Sequence, residues 1–255
     1  MSKNFELLQQ AEQAREGEVA ALAQEEPRSS DVVNVPPSVA RSRTGVFEMD
    51  DLSQEEITKL VQRLFLLAGA ARMVVFAGVD PKTGCSWITS RAAEVLAAQV
   101  TGSICLVDAN FRWPTLHNLF STENDKGLSD ALLQPGPIRQ FSQSLGSDLW
   151  LLTSGSMASK GQAMLNSEAL RARLAELRDE FDYVLIDTTA LSVSADPIAI
   201  GHLADGIALV LEAGVTHRET ARKAAQDLES ANVRLLGMIL NKRQFPIPEL
   251  LYHRL

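Results

Sequence analysis

The run Pro81-Lys82-Thr83-Gly84-Cys85-Ser86 follows the apolar stretch MVVFAG (73–78) and precedes a helical pattern. Strand, glycine-bearing turn and helix in that order build a phosphate-binding loop: successive backbone N–H groups wrap an anion, and the helix N-terminus adds partial positive charge. Ser86 brings a hydroxyl of the kind that ligands magnesium beside a phosphate. The ammonium that such a loop aims at the β and γ phosphates is absent. Cys85 holds its place, and Val79 stands where the first glycine of G-x-x-x-x-G-K-S/T belongs. On its own the loop leaves nucleotide binding open.

Two further apolar runs end in carboxylates. SICLVD (103–108) delivers Asp108 and YVLID (183–187) delivers Asp187, each at a strand tip where a carboxylate can hold magnesium or its waters. A lone aspartate after a strand is more often a helix cap or turn residue. A loop and two such aspartates in chain order favour phosphate and metal chemistry. Lys82, three positions before Cys85, is the cation in the loop that could replace the missing ammonium; the alternative is a solvated surface lysine. Cys85 admits a redox reading, because a helix N-terminus lowers a thiol's pKa, against the plainer reading of a small residue tolerated there. Trp87 and Trp113 could stack on a base or simply cover their own turns. His117 and His202 have no acidic or cysteine companions at ligand spacing and read as structural.

These residues need a frame. Apolar runs at 73–78, 103–108, 149–155, 183–187, 206–214 and 235–241 alternate with helical patterns at 90–99, 169–180 and 217–231. Continuous apolar strands alternating with helices predict a doubly wound, mostly parallel α/β sheet covered on both faces, with ligands outside the carboxyl ends of the strands. Ahead of it, Ser53 and Glu56 stand at capping-box spacing before Ile57, Leu60, Val61, Leu64 and Phe65, which predicts an amphipathic helix. Residues 4–23 form a weakly amphipathic pattern and 25–44 are rich in Pro, Ser and charge without period. A helical arm and flexible linker are therefore expected over 1–45 and one domain over 46–255.

A net charge of −8 and no basic cluster argue against a nucleic-acid binder. The two cysteines, Cys85 and Cys105, suggest neither a disulfide framework nor a zinc site and fit a reducing cytoplasm. No stretch has the length and apolarity of a membrane span. A dinucleotide-dependent dehydrogenase is disfavoured, since the loop lacks G-x-G-x-x-G.

The combination resembles the bacterial tyrosine kinases of capsule and exopolysaccharide synthesis, the BY-kinases, within the deviant P-loop ATPases that include the MinD and ParA types. The resemblance runs from about 53 to about 243. GVDPKTGCSW resembles the family's Walker A motif, and ICLVDANFRWPTLH its Walker A′, with Asp108, Arg112 and Pro114 kept and Asn110 in place of a second aspartate. KGLSDALL resembles the family's mid-domain turn, LLTSG the strand before its loop, and FDYVLIDTTA with Asp196 the Walker B region. Asn241, ending GMILNK, matches an asparagine that contacts adenine.

The resemblance implies ATP or ADP with Mg2+ as cofactors. Nucleotide binding then falls to Pro81, Lys82, Thr83, Gly84, Cys85, Ser86, Trp87 and Asn241, metal binding to Ser86, Asp108 and Asp187, and catalytic roles to Asp108, Asn110 and Lys82. It also implies a membrane-embedded polysaccharide chain-length or export protein as partner, a cytoplasmic location at the inner membrane through that partner, and a homo-oligomer as one assembly. Departures from the pattern point to a regulatory pseudokinase. These are Cys85, Asn110, a single C-terminal tyrosine (Tyr252), and an oligomerising E-x-x-R-x-x-R reduced to Glu56, Lys59 and Gln62 with Arg63 displaced. An active tyrosine autokinase is the alternative. A MinD/ParA-type positioning ATPase comes third, since Asp80 stands where that class carries a lysine.

Overall fold

The computed structural model describes residues 51–243 apart from 68, 147, 164 and 166. The arm and linker expected over 1–45, and Tyr252, lie outside the described residues. Seven strands form one sheet in the order β3-β4-β2-β5-β1-β6-β7: β1 (Met73–Gly78), β2 (Ile104–Asp108), β3 (Gln143–Ser144), β4 (Leu149–Leu152), β5 (Tyr183–Asp187), β6 (Gly206–Glu212) and β7 (Leu235–Asn241). All pairings are parallel except that of β3 with β4. This is the doubly wound α/β sheet expected from the alternation of strands and helices.

Both faces are buried, which is why the strands read as continuous apolar runs rather than alternating ones. On β1, Met73, Val75 and Ala77 join one core cluster while Val74 and Phe76 join the other. Phe76 is fully buried, and burial of such a side chain contributes about 1.5–3 kcal/mol. Helices α1 (Asp51–Val61) and α2 (Cys85–Gln99) cover the Phe76 face, through Ile57, Val61, Ile88, Ala92 and Leu96. The opposite face receives α6 (Glu168–Glu180), through Leu170, Leu174 and Leu177, and α8 (Arg218–Ser230), through Ala224 and Leu228. Ser167 caps α6 by accepting a hydrogen bond from the Leu170 amide. Short helices α3 (Leu116–Leu119), α4 (Leu128–Leu133), α5 (Ala158–Ala163) and α7 (Asp196–Gly201) fill the connections.

Two local expectations change. Helix α1 is already formed at Asp51, so Ser53 and Glu56 lie inside it rather than capping it, and it runs into a π-helical turn at Gln62–Leu66. That turn keeps Leu64 and Phe65 on the buried side. Helix α2 begins at Cys85 rather than at residue 90, which puts Cys85, Ser86 and Trp87 in its first turn. The chain leaves β1 toward β2 on one side and returns through β5 to reach β6 on the other. The crevice between the carboxyl ends of β1 and β5 is thus the sheet's topological switch point.

Candidate functional site

At that crevice the loop from Gly78 to Ser86 bends over the end of β1. Lys82 and Gly84 both adopt left-handed backbone conformations, with φ of 67° and 85°. Gly84 has a second reason to be glycine: a Cβ there would collide with the side-chain nitrogen of Asn241. That nitrogen donates to the Thr83 carbonyl at 2.8 Å, and Lys242 Nζ donates to the Lys82 carbonyl at 2.7 Å. The amides of Thr83, Gly84, Cys85 and Ser86 have no acceptor among the described residues. Four unengaged N–H groups at the start of a fifteen-residue helix are the donor set that a phosphate chain requires.

Beneath the loop, Asp187 is fully buried and neither of its carboxylate oxygens has a hydrogen-bond partner among the described residues. Its polar neighbours are Ser86, Cys85, the Thr188 amide and Asp108. Burial, then the charge of Asp108, push the Asp187 carboxyl up to about 8. Asp108, its partner in register on β2, rises to about 6 through burial, against the pull of the Leu116, Asn110 and Thr115 amides. A buried carboxylate with all its lone pairs unspent calls for a cation or a proton. Among the described residues no group of three or more His, Cys, Asp or Glu could hold a metal ion. The residues fit Mg2+ only with ligands from a nucleotide and water added to Ser86 and Asp187, which is the way magnesium binds in phosphate sites.

Asp108 is differently employed. Its Oδ1 accepts from the Asn110 amide at 3.1 Å and its Oδ2 from the Thr115 and Leu116 amides, each at 3.1 Å. The carboxylate thus folds the 108–116 turn and satisfies the start of α3. Asn110 Oδ1 accepts from the Trp113 amide at 3.2 Å, so the asparagine braces the same turn. That turn, the loop and the residues after β5 enclose a cavity of about 610 Å³ whose lining includes Trp87, Asn110, Trp113, Thr115 and Thr188, a volume in the usual range for small ligands.

Of the residues singled out from sequence, Pro81, Lys82, Thr83, Gly84, Cys85, Ser86, Trp87 and Asn110 line this cavity. Asp108 and Asp187 sit behind it, and Asn241 touches the loop from outside. The plainer reading of Cys85 is favoured over the redox one: burial, followed by the negative charge of the neighbouring Asp187, holds the Cys85 thiol well above its ordinary value. Trp113 is 56% exposed at the cavity rim. His117 and His202 lie outside the lining. The loop's contact with Lys242 was not anticipated, although a lysine directly after the strand-ending Asn241 was the available signal.

Comparison with known proteins settles the kinship. Tyrosine-protein kinase YwqD of Bacillus subtilis (strain 168) is 32% identical over 174 residues, covering 68% of this chain and 73% of that protein. The chain belongs to the BY-kinase family. Tyrosine-protein kinase etk of Escherichia coli (strain K12) is 27% identical over 170 residues, 66% of this chain but 23% of that protein. The solved kinase domain of ETK superposes with a TM-score of 0.64 at 26% identity, covering 70% of this chain and 71% of that one. A ParA family ATPase from Chlorobium tepidum shares the fold, with a TM-score of 0.56 at 17% identity over 68% of this chain and 75% of that one. No family model matches the chain. This BY-kinase-family chain therefore has its loop, its buried aspartates and its cavity at the carboxyl edge of a P-loop ATPase sheet. No helix among the described residues is long and apolar enough to cross a membrane.

Proposed function

We propose that the chain is a regulatory, catalytically weak member of the BY-kinase family in capsule or exopolysaccharide synthesis, binding a magnesium nucleotide without efficient transfer of its phosphoryl group. The observation that carries this reading is Cys85. The residue at the lysine's place is a thiol held neutral against Asp187, so no fixed positive charge faces the transferring group from the start of α2. Loss of one preorganised electrostatic donor typically costs roughly 10² to 10³ in rate. The amides of residues 83–86 would hold the phosphates, Ser86 and Asp187 the magnesium, and Asn241 the base. Bound magnesium would supply the charge neutralisation that the loop lacks. Asp108 and Asn110 would act by shaping the turn at the acceptor side.

The partner in this reading is a membrane-embedded polysaccharide chain-length or export protein, which would hold the chain at the cytoplasmic face of the inner membrane. A thermal-shift titration with ATP and ADP, with and without Mg2+, tests nucleotide binding. Ligand at 100 times its dissociation constant stabilises by about 2.7 kcal/mol, a rise of roughly 5 to 10 °C for a domain of this size. No rise with either nucleotide refutes binding. Labelled ATP incubated with the protein and the partner's cytoplasmic tail tests the rest, and incorporation at rates ordinary for a kinase refutes catalytic weakness.

One observation favours the second reading, an active tyrosine autokinase: Lys82 is exposed and lines the cavity. In that case Lys82→Ala abolishes nucleotide binding while Cys85→Ala leaves it intact. Equal affinities in both variants and the parent remove Lys82 from the site.

A further inference from the structure

Two of the four non-glycine residues with positive φ among the described residues are Lys82 and Lys242, at 67° and 57°, and they touch. Lys242 Nζ donates to the Lys82 carbonyl and pairs with Glu212 Oε2 at 2.9 Å. One residue earlier, Asn241 Nδ2 holds the Thr83 carbonyl. The donors come from the tip of β7, and their base is firm. Glu212 and Asn241 are partners in register, the Asn241 carbonyl accepts from the Ala213 amide at 2.9 Å, and Thr216 Oγ1 accepts from the Glu212 amide at 3.0 Å.

A trans peptide unit is planar, with its C=O and N–H pointing opposite ways. Fixing the carbonyls of Lys82 and Thr83 against β7 therefore turns the N–H groups of Thr83 and Gly84 away from β7, the orientation a phosphate cradle needs. Left-handed φ is costly for lysine and free for glycine, so the turn at Lys82 persists only where its surroundings hold it. Resting on the nucleotide-binding reading above, we infer that the tip of β7 is a clamp on the phosphate loop, in which Lys242, tethered by Glu212, is a positioning residue that aims the loop amides at the phosphates.

The clamp couples the two ends of the nucleotide site. In the proposed function Asn241 would contact the base, and it already holds the Thr83 carbonyl, so a shift of the strand tip would move the amides. Lys242 acts here without meeting the phosphates.

Cys85, directly after the clamped turn, reports loop release in the nucleotide-free full chain, and the fully buried Cys105 reports global opening. In Lys242→Met the thiol-reagent labelling of Cys85 should rise about fivefold, the scale of one charge-assisted, partly exposed hydrogen bond. Cys105 should stay unlabelled, and Lys242→Arg should return the rate toward that of the parent. The same Met variant should bind Mg2+·ATP about fivefold more weakly by that scale. Unchanged Cys85 labelling, or Cys85 and Cys105 rising together, overturns the clamp. If the parent binds no nucleotide, the proposed function fails while the labelling result still decides the clamp.

Discussion

Replacing Asp187 by asparagine should change how the protein's stability depends on pH. In the fold this carboxyl titrates at about 8, against an ordinary value of 3.8. Between those values the folded state keeps a proton that the unfolded state has released, so stability falls as pH rises and levels off above the folded pKa. The slope is 1.36 kcal/mol per pH unit for one such group, so between about pH 5.5 and 7.5 the parent loses about 3 kcal/mol that the variant keeps. For a domain of this size that is a relative drift in melting temperature of roughly 6 to 12 °C. Asparagine leaves polar atoms in the same dry place and shifts the absolute stability of the variant. The difference in slope, rather than in height, is therefore the readout. Urea unfolding of both proteins with a metal chelator present, at three pH values in this window, measures it. Parallel profiles would refute the reasoning, because they would mean that Asp187 is already ionised and partnered in the fold.

The half-buried, raised thiol of Cys85 should react with iodoacetamide at neutral pH no faster than a free model thiol, and faster reaction would restore the redox reading. Gly84→Ala should abolish nucleotide binding, since its Cβ meets Asn241 and its φ is 85°. Its folding cost should be only about 1–2 kcal/mol, measured by urea unfolding beside the binding titration. Gly127→Ala should destabilise by about 1–3 kcal/mol, the range for overpacking, because the added carbon strikes the Thr153 carbonyl; an unchanged unfolding midpoint contradicts this. Cys85→Lys should lower the Asp187 pKa and increase phosphoryl transfer by roughly 10², and a variant no faster than the parent would show that the missing ammonium is not what limits the reaction.

The strands and the longer helices were legible because their signals are local and strong. An unbroken run such as MVVFAG has one structural use in a buried parallel sheet, and Leu170, Leu174 and Leu177 repeat at helical spacing. The two-residue β3 and helices such as Leu116–Leu119 were not legible, since so few residues carry no period. Helix α3 owes its start to a residue eight positions before Leu116, the Asp108 carboxylate. The site was legible in part for the same reason. The loop and the strand-end aspartates lie in recognisable local order, but nothing local distinguishes Asp108, whose oxygens serve the backbone, from Asp187, whose oxygens serve nothing among the described residues. That difference is made by the turn that follows each strand. The contact of Lys242 with the loop spans 160 residues, beyond the reach of any spacing argument.

The distribution of charge around the cavity links these points. Among the described lining residues the charged ones are Asp80 and Lys82, whose formal charges cancel, and behind the lining lie Asp108 and Asp187 with raised affinities for protons. A lysine at residue 85 would pair with Asp187 and keep it ionised in the free protein. With cysteine there, the free site is kept tolerable by a proton instead. A divalent cation arriving with a nucleotide must displace that proton, because both compete for the same lone pairs. In the proposed function, the cysteine that would weaken transfer would thereby also make binding depend on pH, becoming stronger up to about the Asp187 pKa as the proton is more easily released. In that reading the metal would have to provide both the charge that the loop lacks and the partner that Asp187 lacks.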